Sequence, residues 1–184
     1  MKTLDDFLKE LDGLVRSSPS NEVVPAVERL LSQLGSCEVE IPGEKERTRD
    51  DRYARYCLAL PEDRAYSVIL MAWAPGQGGP IHDHDRLWCV ECVLRGEMKI
   101  TRYDPKEVDD AGRVMFAEHE TIVAGKGETG HLIPPLEYHR MQNASADIPA
   151  YTLHVYGGEM KTCTTFVPER DGFCRRECVR YHSD

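Results

Sequence analysis

Two patterns of apolar residues divide the chain. Over residues 1–40 they recur at the spacing of a helical face: Leu4, Phe7, Leu8, Leu11, Leu14 and Val15 lie on one stripe. Thr3, followed by Asp5 and Asp6, supplies the start of that helix, and Ser17 to Ser20, with Pro19, ends it. A second helix is expected from about Asn21 to Leu34, with Pro25 in its first turn, the stripe Val24, Val27, Leu30, Leu31 and Leu34, and Gly35 as its stop. After residue 40 the period changes. Short apolar segments separated by Gly, Pro and Asp follow one another: Tyr53 to Leu60, Tyr66 to Ala74, Leu87 to Tyr103, Val114 to Phe116, Glu120 to Val123, Gly130 to Ile133, His139 to Asn143, Ala150 to Tyr156 and Lys161 to Val167. So many short strands at such spacing predict a mainly β fold, a sandwich or small barrel, preceded by two helices. The charged run Gly43 to Arg52 reads as a solvated linker and Asp171 to Asp184 as a polar tail. The expected organisation is a single domain over 1–184: a helical segment 1–40, a barrel 41–170 and a C-terminal tail 171–184.

Composition narrows the partners. With 184 residues, 41% hydrophobic and 30% charged, the chain is long enough to bury a real core. A formal charge of -9, from 32 acids against 23 Lys and Arg, argues against nucleic acid or an anionic membrane and leaves a small molecule as the expected partner. Acids stand at the N-terminus where a signal peptide needs a positive flank, and no run of apolar residues is long enough to span a bilayer, so a cytoplasmic protein is expected. Seven cysteines in a reducing compartment read as free thiols rather than a disulfide framework. A monomer is expected.

The chemistry starts at His82-Asp83-His84. In an extended chain, side chains at i and i+2 leave the same face, so two imidazoles point at one spot while Asp83 faces away in a structural role. The stretch around them, Gly76 with Pro80 before and Gly96 after, suits a turn leading into a strand. A glycine, five residues, His-x-His and a later glycine make the first motif of the cupin superfamily, met here by Gly76, His82, His84 and Gly96. Its glutamate position falls on Cys89. The second cupin motif is met by Pro134, His139 and Asn143, with Glu128 and Leu136 at two positions where the family has glycine. His139 is thus the third candidate ligand, and the resemblance implies a cupin-type small β-barrel, or jelly roll.

Three neutral histidines without a carboxylate leave the charge of a divalent ion uncompensated and favour anionic guests. The Cys89 sulfur stops short of where a glutamate oxygen would reach, so it is expected beside the metal rather than on it. In this the chain resembles the thiol dioxygenases, and within them the cysteine dioxygenases of the bacterial type. The likeness runs from about Tyr53 to Phe166 and includes Tyr53-Ala-Arg55, Trp73, His82-Asp-His84, Cys89, His139-Arg140, Leu153-His154-Val155-Tyr156 and Thr162-Cys163. It implies an Fe(II) enzyme, metal ligands His82, His84 and His139, and the use of O2 to turn a thiol, L-cysteine, into a sulfinic acid. It further implies a thioether between Cys89 and Tyr156, a substrate carboxylate paired with Arg55, and His154 among the residues surrounding the metal.

The residues support those roles in their own right. Thr152, His154 and Tyr156 alternate on one strand face and can form a hydrogen-bonded file of hydroxyl, imidazole and phenol. Arg55 is an always-charged fork suited to a carboxylate, and Tyr53, two residues away, can share that task. Where mammalian members have Ser-Pro after the tyrosine, this chain has Gly157-Gly158, which leaves the substrate open: another small thiol acid, 3-mercaptopropionate or mercaptosuccinate, is the alternative, and a metal-dependent binding cupin without turnover is a second. The mercaptopropionate enzymes typically replace the arginine by glutamine and the cysteine by glycine, and neither change is present. Cys89-Val-Glu-Cys92 has the spacing of half a zinc knuckle, but Cys174 and Cys178 do not match it, and residues three apart in a strand point to opposite faces. His119, His131 and His182 lie outside the motifs and are expected to be solvated or structural.

Overall fold

The computed structural model describes residues 3–135 and 137–181. Leu136 and His182, both weighed above, lie outside the described residues. The first helix, α1 (Leu4–Ser17), starts where Thr3 and Asp6 close a reciprocal capping box: the Asp6 amide donates to Thr3 Oγ1 at 3.1 Å and the Thr3 amide to Asp6 Oδ2 at 3.3 Å. Its stripe buries Phe7 and Leu11 against the second helix, α2 (Val23–Gly35). A short 3-10 turn (Gly43–Lys45) and an irregular stretch then lead into the strands. The charged stretch read as a linker is not simply solvated, because Tyr56 and Tyr151 donate their hydroxyl hydrogens to the carbonyls of Arg47 and Glu46.

Eleven strands follow among the described residues: β1 (Ala54–Ala59), β2 (Ser67–Trp73), β3 (Ile81–His82), β4 (Cys89–Arg95), β5 (Met98–Val108), β6 (Val114–Ala124), β7 (Thr129–Leu132), β8 (His139–Asn143), β9 (Ala150–Tyr156), β10 (Thr162–Pro168) and β11 (Cys174–Arg180). They form two antiparallel sheets. One has the order β1-β2-β9-β4-β7, and the other closes on itself as β10-β11-β6-β5-β8-β3. The mainly β class with two leading helices is as expected, and the arrangement is that of a cupin-type barrel. No helix among the described residues is long and apolar enough to cross a membrane.

The helices pack their apolar stripes on the outer face of the five-stranded sheet, which explains why its central strands read as continuous apolar runs. Both faces of β2 and β9 are buried along their whole length. Val68, Leu70 and Ala72 of β2, Val90, Cys92 and Leu94 of β4, and Tyr151, Leu153 and Val155 of β9 join Leu11, Val27, Leu31 and Leu34 in one core. Their neighbours in sequence point the other way, into the barrel, where Ile69, Met71, Trp73, Cys89, Val93 and Tyr156 form a second. Gly35 is where the helix end meets the sheet: a Cβ there would stand 2.6 Å from Cys92 Sγ and 2.9 Å from Gly127 Cα, so a larger residue would push α2 off.

Two expectations need correction. The C-terminal segment read as a polar tail is strand β11 over Cys174–Arg180, paired along β10 from Thr162↔Arg180 to Pro168↔Cys174. Its apolar signal is weak because most of its side chains reach solvent, and it is held by main-chain pairing instead. The separate segments Val114 to Phe116 and Glu120 to Val123 are one strand, β6, whose polar middle is exposed on both faces while it pairs with β5.

Candidate metal centre

Three strands and a turn bring the histidines together. The two-residue strand β3 pairs His82 with His139 of β8 and with Thr165 of β10, and His84 follows as the chain turns towards β4. The turn is fixed by carboxylates at its back: Asp83 Oδ1 accepts from the amides of Asp85 and Thr164, and Glu137 Oε2 accepts from the His84 amide at 3.1 Å. Asp83 thus has the structural place expected of it, while Glu137 carries no sequence signal of its own. The ring centroids of His82, His84 and His139 lie 4.5 to 5.2 Å apart, and each residue offers a nitrogen within 4.8 Å of the others.

The donor set fits a transition-metal ion. His82 Nδ1 lies 3.2 Å from the Pro80 carbonyl, which can only accept, so the proton sits on Nδ1 and Nε2 keeps a free lone pair. His84 Nδ1 and both ring nitrogens of His139 are buried with no hydrogen-bond partner, a cost that an ion would relieve. Burial lowers the pKa of all three, and their mutual repulsion lowers those of His84 and His139 further, so all are neutral at pH 7 and ready to donate lone pairs.

Beside them, Cys89 and Tyr156 are direct partners across the pairing of β4 with β9. Both are fully buried, and the phenol is near enough to the Cys89 thiol and to Arg55 to influence the titration of each. Burial, with Glu91 as a second cause, raises the Cys89 thiol well above its ordinary value; burial raises Tyr156 likewise, with Cys89 next. Both are therefore protonated at neutral pH. The file expected along β9 is present in part: Trp73 Nε1 donates to Thr152 Oγ1 at 2.9 Å and Thr152 Oγ1 is 2.7 Å from His154 Nε2, but the phenol joins it by stacking, with the rings of His154 and Tyr156 6.1 Å apart at 11°, and not by a hydrogen bond. Cys92 faces the helices, as the spacing requires, and all seven cysteines are free.

Arg55 projects from β1 and is 5% exposed, with Nε and Nη2 buried and without partners. Its guanidinium lies 3.8 Å from the ring centroid of Tyr181, and Tyr53, just before β1, has its hydroxyl 3.4 Å from that of Tyr181. Arg55, Tyr53, Pro80, Thr165, Val179 and Tyr181 line a cavity of about 460 Å³. Tyr181 was missed in the sequence because it falls in the segment read as tail. Glu91 was missed because a single acid inside an apolar strand reads as an exposed position, yet it is 4% exposed and lies opposite His154 in the pairing of β4 with β9. His119 and His131 stand outside the cluster, paired with Asp104 and Glu28 at the surface.

The departure at Gly157-Gly158 has a packing reason. A Cβ on Gly157 would fall 2.2 Å from Trp88 Nε1, and one on Gly158 would fall 2.9 Å from a Leu87 methyl. Small residues after Tyr156 thus go with bulky residues before Cys89.

A family model described as "Cysteine dioxygenase type I" matches residues 48–169. Among curated relatives, cysteine dioxygenase type 1 of Danio rerio is 26% identical over 90% of this chain and 79% of its own length. The Rattus norvegicus protein of the same name is 27% identical over 64% of this chain, which spans 57% of that relative. Among solved structures, TT1209 of Thermus thermophilus superposes with a TM-score of 0.49 at 21% identity, over 66% of this chain and 98% of that one. A Klebsiella pneumoniae protein with a double-stranded β-helix domain gives 0.47 at 16%, over 64% and 87%.

Proposed function

Because the chain belongs to the cysteine dioxygenase type I family, we propose that it is a thiol dioxygenase that uses non-haem Fe(II) and O2 to oxidise L-cysteine to cysteine sulfinic acid. One juxtaposition carries this reading. Buried imidazoles with unpartnered nitrogens share the barrel interior with a buried guanidinium whose Nε and Nη2 are also without partners, so the site has unmet capacity for a cation and for an anion side by side. A structural histidine cluster or a surface ion pair would leave neither unmet.

His82, His84 and His139 would hold the ion. Bound there, Fe(II) would supply a Lewis-acidic, redox-active centre for a thiolate and O2. Three neutral ligands leave the charge of the ion for the substrate to offset, which favours an anionic sulfur. A thiol and one O2 contain every atom of a sulfinic acid, so the reaction needs no further reductant.

The remaining work falls to the residues around the ion. Arg55 binds the substrate carboxylate through its free Nε and Nη2 and fixes the distance from carboxylate to sulfur. Tyr181 and Tyr53 cover the guanidinium and keep water from competing for it. Tyr156 stays protonated and donates a hydrogen bond into the site, while His154 and Thr152 hold it from behind. The Cys89–Tyr156 thioether forms when Cys89 gives up its thiol hydrogen and Tyr156 a ring hydrogen, with both electrons passing to O2. Free thiols suit a cytoplasmic location.

The test is oxygen uptake by iron-loaded protein against cysteine, cysteamine, 3-mercaptopropionate and mercaptosuccinate. Cysteine is expected to be turned over best, with cysteamine, which has no carboxylate, well behind. Faster turnover of either mercapto acid would overturn the choice of substrate, and no uptake with any thiol would overturn the enzyme.

A further inference from the structure

Behind Cys89 and Tyr156 lies a carboxylate that neither the ion nor the substrate uses. Glu91 shares its strand face with Cys89 and is paired with His154 on β9. Its Oε2 is buried, has no hydrogen-bond partner, and lies 3.6 Å from His154 Nδ1. That distance is just long for a bond, and what the contact is depends on which atoms donate along the file beside it.

The file runs from a group that can only donate to one that, when ionised, can only accept. Trp73 Nε1–H donates to Thr152 Oγ1. Thr152 Oγ1 keeps its hydrogen and one further lone pair for its other neighbour, His154 Nε2, 2.7 Å away, so this contact alone admits either tautomer. Ionised Glu91 decides between them: its Oε2 is an acceptor 3.6 Å from His154 Nδ1, which also lies 4.0 Å from Cys89 Sγ, and it calls for the proton on Nδ1. With the opposite tautomer, a lone pair would face a carboxylate in a dry site.

We propose that Glu91 is a positioning residue: its carboxylate closes the file Trp73, Thr152, His154, holds His154 as the Nδ1–H tautomer, and so keeps the imidazole stacked against Tyr156. The role rests on the proposed function only for its purpose, since the file itself is independent of turnover. Burial lowers His154 to about 3, and burial raises Glu91 to about 7, which leaves a neutral imidazole facing a partly ionised carboxyl at neutral pH. The other groups near Glu91 are Cys89 on its own strand, Arg102 on β5 and Glu128 before β7; the last two line, with Glu91, Gly130 and Thr152, a cavity of about 90 Å³.

Cys89, Glu91 and His154 also offer three donor atoms within 4.8 Å of one another, the makings of a second cation site. The two roles exclude each other, because a protonated Nδ1 has no lone pair to give a metal.

The experiment is 15N NMR of histidine-labelled protein carrying Zn(II) in place of paramagnetic iron, with the His154 signals assigned by their loss in His154→Gln. The wild type is expected to show His154 protonated on Nδ1. Glu91→Gln, whose amide oxygen still accepts, is expected to keep that pattern, and Glu91→Leu to lose it. In the iron enzyme, Glu91→Leu should lower kcat with cysteine by roughly tenfold at unchanged KM and iron content, and Glu91→Gln should recover most of the loss. A wild-type His154 protonated on Nε2, an unchanged tautomer in Glu91→Leu, or a second bound Zn(II) that disappears in that variant would each overturn the proposal. A tautomer that shifts as expected in a protein that oxidises no thiol would sustain the file and overturn the proposed function instead.

Discussion

The two faces of the five-stranded sheet are made by the same strands and do different work. On the helix side, β4 and β9 present Val90, Cys92, Leu94, Tyr151, Leu153 and Val155, an apolar layer under α1 and α2. On the barrel side the alternate positions present Cys89, Glu91, Thr152, His154 and Tyr156. A period of two is enough to separate stability from chemistry within a single strand. The buried polar groups of the inner face are costly, and the helix-backed outer face offsets that cost. A substitution should therefore act on folding or on chemistry according to the parity of its position.

The sharpest break of that symmetry is His84→Ala, which should abolish both iron retention and activity while the fold survives. Metal analysis by mass spectrometry and a thermal melt check it; a variant that kept stoichiometric iron would remove His84 from the ligands. On the outer face, Leu153→Ala should cost about 2–5 kcal/mol of stability, read by denaturant titration, with kcat per folded molecule unchanged. A loss of activity in step with stability would show that the two faces are not separate.

Arg55→Ala should lower kcat/KM with cysteine by roughly tenfold to a few hundredfold, because a charge-assisted pair in a dry cavity is worth about 1.5–3 kcal/mol. Iron content and the rate with cysteamine should stay as they are. Equal loss on cysteamine would mean that Arg55 acts on the fold.

A smaller effect separates Glu91 from its neighbours. Its pKa is raised to about 7 in the folded protein, from an ordinary 4.5, chiefly by burial. A raised carboxyl pKa means that the folded state holds the proton more tightly, so this contribution is full below about pH 4.5 and is lost as pH rises through 7. The shift corresponds to about 3 kcal/mol. The histidines act in the opposite direction: with pKa values depressed by burial, they make the metal-free protein less stable as pH falls below 6.5. Since that loss is shared, the stability of metal-free Glu91→Gln relative to wild type should rise between pH 5 and 8. Parallel curves in chemical denaturation would contradict the assignment. The smallest signal is the thioether, which should make the matured chain about 2 Da lighter by intact mass, with no such loss in Cys89→Ser.

How far the sequence carried these points depended on where each signal resides. The helices were legible because a capping box and an apolar stripe act within one segment. The three histidines were legible because His-x-His is a local pattern and His139 follows from a second motif. Glu91 and Tyr181 were not, since each takes its meaning from a partner far along the chain: His154 across a strand pair for one, Arg55 beneath an aromatic ring for the other. Strand β11 was hidden for a related reason. Only Cys174 of its side chains is buried, so what makes it a strand is main-chain pairing with β10, which leaves little trace in hydrophobic pattern. The glycines after Tyr156 pointed at the substrate when read alone, whereas their packing against Trp88 and Leu87 ties them to the residues before Cys89.

The claim on which the rest depends is that the inner face carries out dioxygenation of a thiol. The direct measurement is a single incubation of the iron-loaded protein with cysteine under 18O2 in ordinary water, with the product read by mass spectrometry. The account predicts cysteine sulfinic acid with both sulfinate oxygens labelled and one O2 consumed per product. A product carrying oxygen from water, or oxygen consumed without sulfinate, would contradict it.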